Sequence, residues 1–161
     1  ANLRFRMEPR LKAAGITLDW QSDQSFEAVR LGDESSLHLL RIVQESLSNA
    51  MRHSRAKRLE VRFFVDHDTC HVVVEDDGVG LPADLSRTGR GLENIRRRAH
   101  ALGGEARIDS GPRGTIVAVH FPVSQAAAGR AADDDARGSV VTLHPHAGSR
   151  HPANAASPPR R

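Results

Sequence analysis

At 161 residues, with 39% apolar side chains and a net charge of +3, the chain can build one domain with a real core. No apolar run approaches the roughly 20 residues that span a bilayer, and no signal peptide is visible. The arginines are scattered rather than gathered into a polybasic block, so a nucleic-acid partner is not implied. The densest basic stretch, Arg96-Arg97-Arg98, reads as a solvated helix face. A single cysteine, Cys70, excludes an internal disulfide and suits a reducing, cytoplasmic setting. The first residue is Ala rather than Met, so a longer protein could carry membrane segments upstream, and any tie to a membrane would come through those absent segments.

Leu3, Met7 and Leu11 recur one helical turn apart and predict a short helix from Asn2 to Ala14, ended at Gly15. Ile16, Leu18 and Trp20 then alternate with polar residues as a strand does, and a polar connection leads through Phe26 to Leu31, a candidate second short strand. Ser35 and Ser36, after Gly32-Asp33, are candidate N-caps for a long helix expected to run from about Ser36 to Ser54. Leu37, Leu40, Val43, Leu47 and Ala50 would form its apolar face. Residues four apart on a helix drift by only about 40°, so Arg41, Glu45, Asn49 and His53 should share one polar stripe.

Alternation resumes at Leu59, Val61, Phe63 and Val65, turns at Asp66-His67-Asp68, and returns through Cys70, Val72 and Val74 to Glu75, which predicts a hairpin with Cys70 on its buried face. From Gly78 to Gly91, glycines, Pro82, Ser86 and Thr88 replace any period; a loop of that length reads as a lid, centred on Leu81 to Arg90. Leu92, Ile95, Ala99 and Leu102 give a second helix, ended at Gly103-Gly104. Ala106, Ile108 and then Ile116 to Phe121 give two more strands around Gly111-Pro112-Arg113-Gly114. Apolar periodicity stops at Val123. Residues 1–123 are therefore expected to form the domain and 124–161, with the acidic run Asp133 to Asp135 and little large apolar content, a mostly disordered tail in which Val140 to Leu143 is the exception.

The chemistry-bearing residues fall into ordered motifs. Gln44-Glu45-Ser46-Leu47-Ser48-Asn49-Ala50-Met51-Arg52-His53-Ser54 resembles the N box of sensor histidine kinases, and Asp76-Asp77-Gly78-Val79-Gly80-Leu81 their first glycine box. Gly89-Arg90-Gly91-Leu92, followed by Arg98 and Gly103-Gly104, is similar to the second glycine box, and Gly111 to Thr115 to the last motif. The Gln-Glu-x-x-x-Asn-x-x-x-His form most resembles the nitrate and uhp-type sensors. This resemblance implies the Bergerat ATP-binding fold, a two-layer α/β sandwich whose mixed, mostly antiparallel sheet carries helices on one face. It implies ATP and Mg²⁺ as cofactors, a dimerisation domain bearing the phosphoacceptor histidine as one partner, and a response regulator as the next. An anti-sigma-factor serine kinase of the same fold and a non-catalytic nucleotide sensor are the alternatives.

Residue by residue, a carboxylate at a strand end such as Asp76 can accept from the adenine amine, with a water completing the contact. Gly78 and Gly80 would let the backbone approach the base, where side chains would collide with it. Thr115, by the resemblance, lies near Asp76 and shares its water, or is an ordinary strand residue. Asp77 reads as a local turn former. The Asn49 amide oxygen suits Mg²⁺, a hard cation that prefers oxygen ligands, and Glu45 one turn earlier could orient or deprotonate the attacking imidazole. His53 or Arg52 could touch a phosphate, or lie on the surface. Gly89, Gly91 and Leu92 open the second helix, whose free N–H groups and positive end suit a triphosphate. Neither a Rossmann fingerprint nor a Walker A motif is present. No phosphoacceptor motif is found: His67-Asp68 sits in a turn, and the tail histidines lack a metal scaffold.

Overall fold

The computed structural model describes residues 3–82 and 90–124. Gly89, most of the expected lid and the tail from residue 125 onward lie outside the described residues.

Leu3, Met7 and Leu11 are all buried, and their helix α1 (Leu3–Ala13) leads into Gly15, whose φ of +74° suits a residue without Cβ. Strand β1 (Thr17–Ser22) carries Trp20 into the core. The second strand expected within 26–31 does not form. Instead Asp23 caps a short helix α2 (Gln24–Glu27) by accepting from the Ser25 backbone N–H, and Phe26 turns inward onto Phe63, ring centroids 5.2 Å apart. Capping chemistry and one large aromatic outweigh a weak strand pattern there.

Helix α3 (Asp33–Asn49) starts before the serines, at Gly32, with Asp33 and Glu34 in the first turn where the positive helix end favours carboxylates. It passes without a break into a wider π-helical turn, Ala50–Ser54, which ends at Arg55 with a left-handed φ of 55°. Strands β2 (Arg58–Asp66) and β3 (Thr69–Asp76) form the expected hairpin around His67-Asp68. After the undescribed stretch come α4 (Arg90–Ala101), β4 (Glu105–Gly111) and β5 (Gly114–Pro122), the last two again a hairpin.

Among the described residues the sheet has five strands in the order β1-β2-β3-β5-β4. Only β1 and β2 run parallel; the other pairs are antiparallel, giving the mixed, mostly antiparallel sheet. Val61, Phe63, Val72, Val74, Val119 and Phe121 alternate along their strands and bury one face, beneath α3 and α4. The opposite face carries ion pairs such as Arg62–Glu75 and a Phe64–His71 stack at 4.8 Å. Cys70 is fully buried as expected, and burial pushes its thiol up to about 11.

The apolar face of α3 is rotated from the expected one. Leu39, Ile42, Val43, Ser46 and Leu47 are buried and Ala50 continues their row, whereas Leu37 is 52% exposed and Leu40 only partly buried. Spacing finds the period of a helix; the neighbours, here α4 beside it and the sheet beneath, decide which stripe is covered.

Candidate functional site

Glu45 and Asn49 stand one turn apart on α3 and are half-buried, and the start of α4 packs against both. A methyl group on Gly91 would lie 2.4 Å from Glu45 Oε1 and 3.3 Å from Asn49 Nδ2. The polar stripe therefore faces the N-terminal end of α4, the end at which a helix leaves its first backbone N–H groups without intrahelical partners. His53 departs from the expected straight stripe. The π turn adds a residue to the helical circuit, and His53, half-buried on it, is not on the cleft wall described next.

A shallow cleft opens between α3, α4 and the strands. Ser46, Asn49, Asp76 and Thr115 supply its polar lining, and Leu59, Leu92 and Val117 are among its apolar walls. Asp76, the last residue of β3, is 6% exposed; its Oδ1 accepts from Gly78 N at 2.9 Å, and no described residue donates to Oδ2. Thr115 is equally buried, with its Oγ1 3.1 Å from Ser110 Oγ, which accepts the Leu81 N–H at 2.7 Å.

The first glycine box is shaped by protein before any ligand enters. A Cβ on Gly78 would stand 2.1 Å from the Ser54 carbonyl oxygen, and one on Gly80, at φ +79°, 2.4 Å from that of Gly111. The expectation that these glycines spare a base a collision is thus incomplete, because the chain's own backbone already fills the space. On the far side, Gly114 adopts φ +120° and a Cβ there would meet the Asp76 carbonyl oxygen at 1.8 Å.

Asp77 bonds to protein as expected, but across the chain rather than within its own turn. Its Oδ1 accepts from the backbone N–H groups of Lys57 and Arg58, both at 2.8 Å. These bonds, Arg58's foremost, hold the carboxyl below the usual carboxylate range. Because the folded value is the lower one, the stabilisation is present above the ordinary value of 3.8 and lost as pH falls through the folded value. Asp77→Ala should cost about 1 kcal/mol at neutral pH, a small effect because the carboxylate is solvated. Thermal unfolding at stepped pH should show the parent losing this margin over the variant in acid; a constant margin would separate Asp77's effect from its charge.

Asn49, Asp76, Leu92 and Thr115 thus gather on one cleft, with Glu45, Gly78, Gly80 and Gly91 at its margins, His53 set apart and Gly89 undescribed. Sequence reasoning missed three serines. Ser46 lines the cleft, its hydroxyl donating to Ile42 O at 3.0 Å, and its signal was a small polar residue interrupting an apolar stripe. Ser54 and Ser110 brace the glycine box from opposite sides, and nothing local marks them.

Residues 34–125 match the family described as histidine kinase-, DNA gyrase B- and HSP90-like ATPase. The chain is 35% identical over 117 residues to the signal transduction histidine-protein kinase/phosphatase UhpB of Salmonella typhimurium, covering 71% of this chain and 22% of that protein. It is 37% identical over 90 residues to the nitrate/nitrite sensor protein NarX of Escherichia coli, covering 53% of this chain and 15% of that protein. It therefore spans about a fifth of the length of such relatives. The histidine kinase domain of the Erythrobacter litoralis EL346 blue-light activated histidine kinase superposes with a TM-score of 0.64 at 27% identity, covering 82% of this chain and 66% of that one. Among the described residues no helix is long and apolar enough to cross a membrane. With its ordered boxes around one cleft, its mixed sheet and these relatives, the chain belongs to the histidine kinase-, DNA gyrase B- and HSP90-like ATPase family, as a histidine kinase ATPase domain of the sensor-kinase type.

Proposed function

We propose that residues 1–123 bind Mg-ATP and donate its γ-phosphoryl group to a histidine on a dimerisation domain outside this chain, from which a response regulator receives it; the tail is an appendage. The observation that carries this reading is the convergence on one cleft of Asp76 and Thr115 from the sheet, Asn49 from α3 and Leu92 from α4. The lining fits an adenine nucleotide: apolar walls suit a planar ring, and the Asp76 Oδ2, to which no described residue donates, can accept from its exocyclic amine. The Asn49 amide oxygen suits Mg²⁺ without adding negative charge, and a cation shared with phosphates needs few protein ligands.

When bound, Mg-ATP supplies the transferable phosphoryl group and part of the neutralisation of its charge. Asp76 orients the base, and Thr115 shares its water. Gly78 and Gly80 hold the backbone close to it. Gly89 and Gly91 free the α4 N–H groups for phosphate oxygens, and Leu92 closes the apolar wall. Glu45, beside Gly91, accepts a hydrogen bond from the incoming imidazole or takes its proton. His53 does not line the cleft and is given no contact with the nucleotide.

Radiolabelled ATP tests the whole reading. The chain alone should bind Mg-ATP and retain no acid-labile label, while a matching dimerisation domain added in trans should become labelled. Label kept by this chain alone, stable in base and lost in acid, would place the acceptor within it. Asp76→Asn should weaken ATP binding by roughly 1 to 3 kcal/mol with circular dichroism intact. Unchanged affinity in titration calorimetry would remove Asp76 from base recognition.

A further inference from the structure

The turn after Asp76 is held by the far end of the helix that carries Asn49, and one side chain makes the joint. Ser54 is fully buried. Its Oγ donates to Ala50 O at 2.8 Å and accepts from Ala56 N at 3.1 Å, which closes the π turn and fixes the chain's exit through Arg55. With that exit fixed, the Ser54 carbonyl accepts from Val79 N at 2.8 Å, and its oxygen and the Ser54 Cβ would stand 2.1 and 2.7 Å from any Cβ at Gly78. Gly78 N in turn donates to Asp76 Oδ1.

We propose that Ser54 is a positioning residue for base recognition: by closing the π turn it sets the carbonyl that carries the Gly78-Val79 backbone, and so fixes which oxygen of Asp76 is left for the ligand. The proposal rests on the reading of Asp76 as the adenine contact. Ser54 itself touches no nucleotide. Without the hydroxyl, the Ala56 N–H loses its acceptor and the turn loses the side-chain bond that braces it at Ala50 O, so the Ser54 carbonyl shifts and the carboxylate is no longer aimed. The proposed phosphate contacts, through Mg²⁺ at Asn49 and at the start of α4, do not involve the Ser54 hydroxyl and are spared. The signature is therefore a loss of base discrimination rather than a uniform loss of affinity.

Competition binding with ADP and GDP, on the full chain and well below its melting temperature, reads that signature. The parent should prefer ADP. Ser54→Ala should weaken ADP binding about tenfold, leave GDP nearly unchanged and shrink the preference by the same factor, while Ser54→Thr, which keeps the hydroxyl, should restore most of it. A Ser54→Ala variant with a lowered melting temperature but the parent's ADP-to-GDP ratio would make Ser54 merely structural and overturn the proposal. Should Ser54→Ala not fold, the parent decides: without nucleotide its Val79 amide should exchange slowly, although that residue is 60% exposed, because Ser54 holds the N–H. Exchange at the rate of an unprotected peptide would overturn the joint itself. A parent that binds neither nucleotide would bring down the reading of Asp76, a failure distinct from a parent that binds ADP with a variant that discriminates equally well.

Discussion

Glu45→Gln should lower phosphoryl transfer to a dimerisation domain supplied in trans by two orders of magnitude or more and leave Mg-ATP affinity within a factor of two or so. The amide keeps the size of the side chain beside Gly91 but can no longer take a proton. Asn49→Ala, one turn along α3, should act on the other quantity, removing the increment of nucleotide affinity that Mg²⁺ adds and lowering transfer only as occupancy falls. Calorimetric titration with and without Mg²⁺, beside transfer assays at saturating ATP, separates the two. Equal loss of Mg-ATP binding in both variants would end this division of roles.

Gly114→Ala should be the most damaging single-methyl change in the domain. The new carbon would lie 1.8 Å from the Asp76 carbonyl oxygen, at a φ of +120° that residues with side chains rarely adopt. Rigid backbone stands on both sides, so β3 and the β4–β5 turn would have to separate where Asp76 meets the cleft. The cost should be about 3 kcal/mol or more, with nucleotide binding lost in the same variant. Gly111→Ala, in the same hairpin, is the control: a Cβ there meets nothing within 4 Å, and stability should change by about 0.5 kcal/mol or less. Urea unfolding of both variants makes the comparison, and similar midpoints would show that the Gly114 contact relaxes at little cost.

Much of this architecture was legible because it rests on short-range pattern. Alternation in β2, β3 and β5, the His67-Asp68 turn and the glycine ends of α1 and α4 are local matters of side-chain direction and backbone freedom. The ordered boxes also put Asn49, Asp76 and Thr115 forward together, and all three line the cleft. What stayed illegible depends on neighbours distant in sequence. Leu37 fits the helical period as well as Leu39 does, and only the placement of α4 and the sheet exposes it. The capped helical turn at 23–27 went unread because Phe26 is anchored by Phe63, far along the chain. The π turn leaves no trace in hydrophobic period, so His53 was expected one regular turn beyond Asn49. Ser54 reads as the last residue of a helix and Ser110 as one before a turn, and neither shows its bracing role until the glycine box folds against them.

The strand order has a kinetic meaning. Both hairpins, β2–β3 and β4–β5, pair residues close in sequence and can form within microseconds, but neither alone contains the cleft. The pairing of β3 with β5, from Thr69 opposite Pro122 to Glu75 opposite Ile116, closes a chord around α4 and its preceding loop, and its entropic cost must be met before its contacts form. Asp76 and Thr115 become neighbours only at that closure. The cleft is therefore assembled by the slow, non-local step of folding, so the regain of nucleotide binding during refolding times the docking of two preformed halves.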